Sequence, residues 1–247
     1  MAYELFYWPG IQGRGEFVRL ALEDSGTAYT DVARQSESEG GGVPALVKLM
    51  QNTELERPPF APPFLRDGSL VISQSANILQ YLGPKIGLAP RDEAGRLWAH
   101  QLQMMVTDFI KEAHDTHHPV GSSLYYEEQK PEALRYTQNF LDVRLPKYLG
   151  YFERVLERNS KGPQYMVGDS ASYVDTSMFQ IVEGMRYAFP NAMAKAESLV
   201  PKLVALHRQV SLREKLAAYL ASNRRIPLNE KGIFRRYPEL DLPSQSS

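Results

Sequence analysis

Cysteine is absent from the chain. That absence removes disulfide frameworks, cysteine zinc sites, Cys-x-x-Cys redox motifs and any cysteine nucleophile. A charge excess of either sign is missing as well: 28 Lys and Arg stand against 29 Asp and Glu. Holding nucleic acid by bulk electrostatics needs a clustered basic excess, so no nucleic-acid partner is expected. No apolar run approaches the roughly 18 residues of a membrane span, so no membrane partner is expected. The opening MAYELFYWPGIQGRGEF lacks the basic-then-apolar order of a secretory signal, and the expected location is cytoplasmic. Catalytic fingerprints are scarce. The glycines of Gly10-Ile11-Gln12-Gly13-Arg14-Gly15 do not fit G-x-G-x-x-G or a phosphate-binding loop, and neither H-E-x-x-H nor G-x-S-x-G occurs.

What is present is a 247-residue chain with 43% hydrophobic residues, enough for a sizeable core in one domain or two. Up to about residue 90 it is mixed and broken by Gly and Pro. Ala2–Trp8 is short and apolar and ends at Pro9-Gly10, which predicts a strand. Arg14–Glu23 carries Phe17, Leu20 and Ala21 at helical spacing, and Thr27–Val32 is a second strand candidate. A weak helical stretch, Val43–Met50, precedes Pro58, Pro59, Pro62 and Pro63. Phe64–Leu65 and Leu70–Ser73 flank Asp67-Gly68, a hairpin signal. Ser75–Leu82 returns to helix, with Ser75 placed to cap it. This order predicts a compact α/β unit over 1–84.

From residue 91 to 221 the pattern is helical. Arg91–His118 repeats apolar residues at three- and four-residue steps, and so does Lys130–Asn159, where Pro146 should kink the helix. Ser172–Tyr187, Leu199–Val210 and Leu212–Ala221 complete a predicted bundle. Ser172-x-x-Asp175 is a capping box with Asp in place of Glu. Residues 222–247 are expected to form an irregular tail. His114 and His118 stand four apart on one helical face. The only third group nearby is Asp115, on another face, so no metal is expected. These histidines read instead as residues favoured by the helix C-terminus before Pro119.

Two places could do chemistry. Tyr7 closes the first strand ahead of a glycine-rich turn and a helix. It is either a core tyrosine with a satisfied hydroxyl, or a phenol that donates to an anion held at the helix N-terminus. Gln74-Ser75 is either an ordinary cap, or an amide and hydroxyl beside free N–H groups that bind a carboxylate.

Taken in order, these pieces resemble the cytosolic glutathione S-transferases, over the whole chain to about residue 221. Leu5-Phe6-Tyr7-Trp8-Pro9 followed by Gly13-Arg14 looks like the tyrosine-type start of the pi and sigma classes. Pro63-Phe64-Leu65-Arg66-Asp67-Gly68 leading to Ser73-Gln74-Ser75-Ala76-Asn77-Ile78-Leu79 looks like the cis-proline, hairpin and Gln-Ser helix that hold the tripeptide. Met105-Val106-Thr107-Asp108 is similar to the segment whose Asp reaches the partner subunit. Val167-Gly168-Asp169 with the Ser172 box is similar to the family's helical-domain cap.

The resemblance implies α/β plus all-α architecture: a thioredoxin-like N-terminal domain followed by a helical-bundle C-terminal domain, in a homodimer. It implies no tightly bound cofactor, with glutathione as co-substrate and a small apolar electrophile as the second substrate. Tyr7 would stabilise the thiolate. Arg14, Pro62, Pro63, Gln74 and Ser75, with Asp108 from the partner subunit, would bind glutathione. Arg34 and Lys48 are proposed for the glycyl carboxylate on charge alone. Trp8, Ile11, Met104, Met105, Tyr125 and Phe234 would line the electrophile pocket. A serine-type relative would need an early Ser and a cysteine-type one a Cys, and this chain has neither. Two departures stand out: Pro62 has no N–H where the family offers one, and the turn after Tyr7 is about one residue longer than in the pi class. The alternative function is a glutathione-binding or interaction protein with little turnover. Isomerase or peroxidase use of the same thiolate is not separable from conjugation at this level.

Overall fold

The computed structural model describes residues 2–243; Met1 and 244–247, the last part of the expected tail, lie outside the described residues. The first unit runs β1 (Tyr3–Phe6), α1 (Gly15–Ser25), β2 (Tyr29–Asp31), α2 (Gly42–Met50), β3 (Phe64–Asp67), β4 (Leu70–Ser73) and α3 (Ser75–Lys85). The sheet order is β2-β1-β3-β4. β1 and β2 are parallel, whereas β3 runs antiparallel to both β1 and β4. Because successive strand side chains alternate faces, Leu5 and Leu65 pack with Val18, Leu22, Ile78 and Leu82 of α1 and α3. Phe6 and Phe64 turn the other way, stack at 5.1 Å and meet Leu46 of α2. The hairpin loop is Gly68-Ser69, one residue later than the dipeptide signal suggests, since Asp67 still pairs with Leu70; Gly68 takes φ 60° there.

The helical part comprises α4 (Glu93–Asp115), α5 (Lys130–Asn139), α6 (Leu145–Arg158), α7 (Tyr173–Ala188), α8 (Pro190–Glu197), α9 (Pro201–Ser211) and α10 (Glu214–Leu220). Where a kink was expected at Pro146, the regular helix is interrupted just before it by a π turn over Phe140–Arg144. Proline has no N–H and crowds the carbonyl four residues back, and the wider turn relieves both. α7 is the central helix, buried along nearly its whole length. Its capping box forms as read. Asp175 accepts from the Ser172 amide at 2.6 Å and, with its other oxygen, from the Met166 amide at 2.7 Å. Phe17, Leu20 and Ala21 of α1 belong to the same core as α4, α6 and α7, so one helix joins both layers.

The described part of the tail, 222–243, is irregular apart from the short turn Pro238–Leu240, yet it is firmly packed. Phe234 is buried against Gly184 of α7, and Tyr237 stacks on Tyr126 at 3.9 Å. Asp241 accepts from the Asn191 and Ala192 amides at the start of α8.

Candidate active site

Strand register brings the suspected residues to one sheet edge. Phe6 pairs with Phe64, and Phe64 pairs with Ser73. Tyr7, Pro63 and Gln74 are each one residue beyond, on adjacent strands about 4.8 Å apart. The Pro62–Pro63 peptide is cis. α3 begins two residues after β4 ends, and α1 follows β1 after the eight-residue connection 7–14, so two helix N-termini, each with unsatisfied N–H groups and a positive dipole end, follow strands that end on this edge. Anionic groups are favoured there.

Ser75 does not cap α3. It is the first helical residue and is buried, while Gln74 holds the cap position at φ 69° and ψ 120° without capping through its side chain. A non-glycine residue at such a φ costs on the order of 1–3 kcal/mol, and strain of this kind collects at binding sites. Ile78 N–H reaches back to the Gln74 carbonyl, leaving the amides before it for another acceptor.

Tyr7 is buried, and its hydroxyl oxygen accepts a hydrogen bond from the Arg14 amide at 2.9 Å. The phenolic proton is not used in that bond. Burial pushes the Tyr7 pKa up; the Arg14 amide and the charges of Arg14 and Arg19 pull the other way without reversing it. The phenol is therefore a neutral donor at physiological pH. Two glycines allow this placement: a Cβ on Gly13 would lie 2.1 Å from the Tyr7 oxygen, and one on Gly15 would lie 2.5 Å from its Cγ. The Gly-x-Gly spacing in the turn was the available signal for this wall, and read as bare spacing it indicated only a tight connection.

A buried polar network backs the turn. Arg19 donates to Asp31 at 2.7 Å and to Glu16 at 3.3 Å, and its guanidinium lies 5.8 Å from the Tyr7 ring centroid. Glu16 also accepts from the Tyr219 hydroxyl at 2.7 Å and from Arg225. Arg225 donates to Gln180 at 2.9 Å, Gln180 to Gln12 at 2.8 Å, and Gln12 to the Ile226 carbonyl at 2.5 Å. The tail thus holds the segment between Tyr7 and α1.

The other expected residues scatter. Arg34 donates to the Arg224 carbonyl at 2.6 Å, so its guanidinium is engaged by the tail. Lys48 is exposed and lines a groove of about 930 Å³ with Glu4 and Arg66. A second groove, of about 710 Å³, lies between Trp98 and Arg158. Neither groove touches Tyr7, Arg14, Gln74 or Ser75. Trp8 is 37% exposed and Ile11 half-buried. Met104 is exposed on α4, whereas Met105 packs against the helical core, so the two diverge. Tyr125 is exposed, beside buried Tyr126. Phe234 is a core residue that also lines a gap of about 10 Å³ with Gln12 and Gly13. Asp108 is exposed on α4.

A family model described as the glutathione S-transferase C-terminal domain matches residues 114–223. The chain is 30% identical over 227 residues to glutathione S-transferase P 1 of Xenopus laevis, spanning 90% of this chain and 93% of that relative. It is 29% identical over 236 residues to glutathione S-transferase P of Bos taurus, spanning 93% and 98%. In shape it is similar to the Pi-class glutathione S-transferase of Onchocerca volvulus, with a TM-score of 0.70 at 22% identity over 94% of this chain and 99% of that one. It is also similar to prostaglandin synthase D of Nilaparvata lugens, with a TM-score of 0.69 at 20% identity over 92% and 100%. Both structural likenesses concern the fold. Sequence likeness sustained over nearly the full length of both chains makes this protein a member of the glutathione S-transferase family.

Proposed function

We propose that the protein is a tyrosine-type glutathione transferase that joins the glutathione sulfur to small apolar electrophiles. The observation that carries this reading is the Tyr7 hydroxyl, oriented by the Arg14 amide at 2.9 Å with its own proton left to donate. A free thiol titrates near about 8.5, and a donor that favours the anion raises the thiolate fraction at neutral pH. The thiol proton leaves to solvent. The thiolate then forms a carbon–sulfur bond while the leaving group departs with its electron pair.

Gln74 and Ser75, at the start of α3, hold the γ-glutamyl carboxylate, and Arg14 supports that end. The Pro62 carbonyl accepts from the cysteinyl amide. Pro62 offers no N–H in return, which weakens binding by about 0.5–1.5 kcal/mol, up to tenfold. Leu97, Gln101, Met104 and Asp108 share one exposed face of α4, and Phe60 protrudes at 90% exposure. Such apolar exposure is what a homodimer covers, and in that dimer Asp108 takes the ammonium of the partner's glutathione. Detoxification in the cytoplasm is the corresponding role.

The test is a conjugation assay with an activated aryl halide, run on the protein and on Tyr7→Phe, beside a glutathione thermal-shift titration. Turnover that falls at least tenfold in Tyr7→Phe, with the glutathione-induced Tm shift kept, supports the reading. A Tm shift without turnover in either protein establishes a binding protein instead. In Asp108→Ala, glutathione affinity falls if the cross-subunit contact exists; an unchanged affinity removes that contact.

A further inference from the structure

We propose that His114, His117 and His118 form a binding site for one imidazole-preferring divalent transition-metal ion, such as zinc. Helical spacing pairs His114 with His118, gives no third group but Asp115 on another face, and predicts no metal. The fold supplies a third ligand. α4 ends at Asp115, and the turn that follows folds His117 back beside the other two. Nitrogens from all three rings lie within 4.8 Å of one another, and the three ring centroids are 4.8–5.2 Å apart. His117 and His118 are buried and His114 is half-buried. The chain has only five histidines, so gathering three of them here is distinctive.

Orientation is the second observation. His117 Nε2 lies 2.7 Å from the Ile233 carbonyl, which can only accept, so Nε2 carries the proton and Nδ1 presents a lone pair. His114 Nδ1 lies 3.6 Å from the Asp115 carboxylate, leaving its Nε2 free of that contact. His117 is held as metal-ligating histidines are, one ring nitrogen fixed by a carbonyl and the other turned to the ion. His118 Nδ1 stands 2.5 Å from His117 Nδ1, so without an ion His118 donates its Nδ1 proton to its neighbour. On ligation through Nδ1, His118 transfers that proton to Nε2, with no net release. The two nitrogens then separate to about 3.3 Å, as tetrahedral bonds of about 2.0–2.1 Å require. His118 lies beyond the helix and can make that adjustment.

Arg14 and Arg235 oppose a cation here, whereas Asp115 and Glu127 favour it. The formal charges balance, and the imidazole donors decide.

The test uses tag-free, metal-stripped, full-length protein in glutathione-free buffer, titrated with Co²⁺. The expected result is a visible d–d absorption band saturating at one equivalent per chain, displaced by Zn²⁺, with a rise in Tm on Zn²⁺ addition. His114→Gln and His118→Gln should each weaken Co²⁺ binding at least about tenfold while keeping the metal-free Tm. His100→Gln and His207→Gln should leave it unchanged. Absence of the band, or a band that persists in both His114→Gln and His118→Gln, overturns the proposal. Neither result bears on the glutathione chemistry, which is read by a separate assay.

Discussion

The Arg14 amide and the Tyr7 hydroxyl meet at 2.9 Å, with the amide donating and the phenolic oxygen accepting. This turns the Tyr7 proton away from the Arg14 amide. The raised Tyr7 pKa keeps that proton in place across the working pH range. A hydrogen bond to a charged group contributes about 1.5–3 kcal/mol, equivalent to about 1–2 pH units at the sulfur. In Tyr7→Phe, the rising limb of kcat/KM against pH should therefore move upward by that amount. A limb that stays in place while activity falls would assign Tyr7 to substrate positioning only.

Gly13 is the tightest neighbour of that hydroxyl. With φ at +44° and a Cβ position 2.1 Å from the Tyr7 oxygen, alanine there must displace the ring. Gly13→Ala is expected to lower kcat/KM by at least about tenfold, a cost of about 1.4 kcal/mol in the transition state. Steady-state kinetics beside a thermal melt separate this from unfolding, and unchanged kcat/KM would show that the ring is not held by this contact.

The tail packs through Phe234. A Cβ on Gly184 would lie 2.2 Å from its Cδ2. Gly184→Ala should destabilise by about 1–3 kcal/mol through overpacking, and Phe234→Ala by about 3–5 kcal/mol through the cavity left behind. In the double variant the Gly184→Ala cost should disappear, because the residue it collides with is gone. Simple additivity in denaturant midpoints would contradict the packing.

Asp24 supplies a pH dependence. Burial raises its carboxyl to about 6, although Arg213 lies 2.8 Å away. The folded pKa lies above the ordinary 3.8, so folding takes up a proton. The stabilisation is complete below about 4 and is lost as pH rises through about 6. Asp24→Asn imitates the protonated form. Its Tm should exceed that of the parent at pH 7.5 by a few degrees, on the order of 2 kcal/mol, and the two should converge near pH 4.5. A constant difference across that window would assign the effect to packing.

Much of the first unit was legible because its signals are local. The first strand, the helix over Val43–Met50 and the Ser172–Asp175 box depend on neighbours within a few residues, and each forms, the strand as Tyr3–Phe6 within the expected Ala2–Trp8. The cap at Gln74 was not legible, because nothing in its residue type calls for a φ of 69°. α8 was missed: eight residues opening on Pro190 give little periodicity. His117 was not legible as a partner of His114 and His118, because helical spacing does not describe the chain past Asp115, where α4 stops. The Glu16–Arg225 pair was unreadable in principle. Its partners are 209 positions apart, and nothing local marks either one. The electrophile pocket was drawn too openly for a similar reason: where Phe234 and the tail settle depends on tertiary packing.

That long-range pair has a consequence for biosynthesis. Translation proceeds at about 5–20 residues per second, so the segment holding Tyr7 leaves the ribosome some 10–40 s before Arg225 can reach Glu16. Until then Glu16 and Arg19 lack their final covering. A nascent chain halted before residue 224 would carry every residue of the proposed glutathione edge, yet leave the turn behind Tyr7 without its clamp. Acquisition of activity should thus be among the last events of folding.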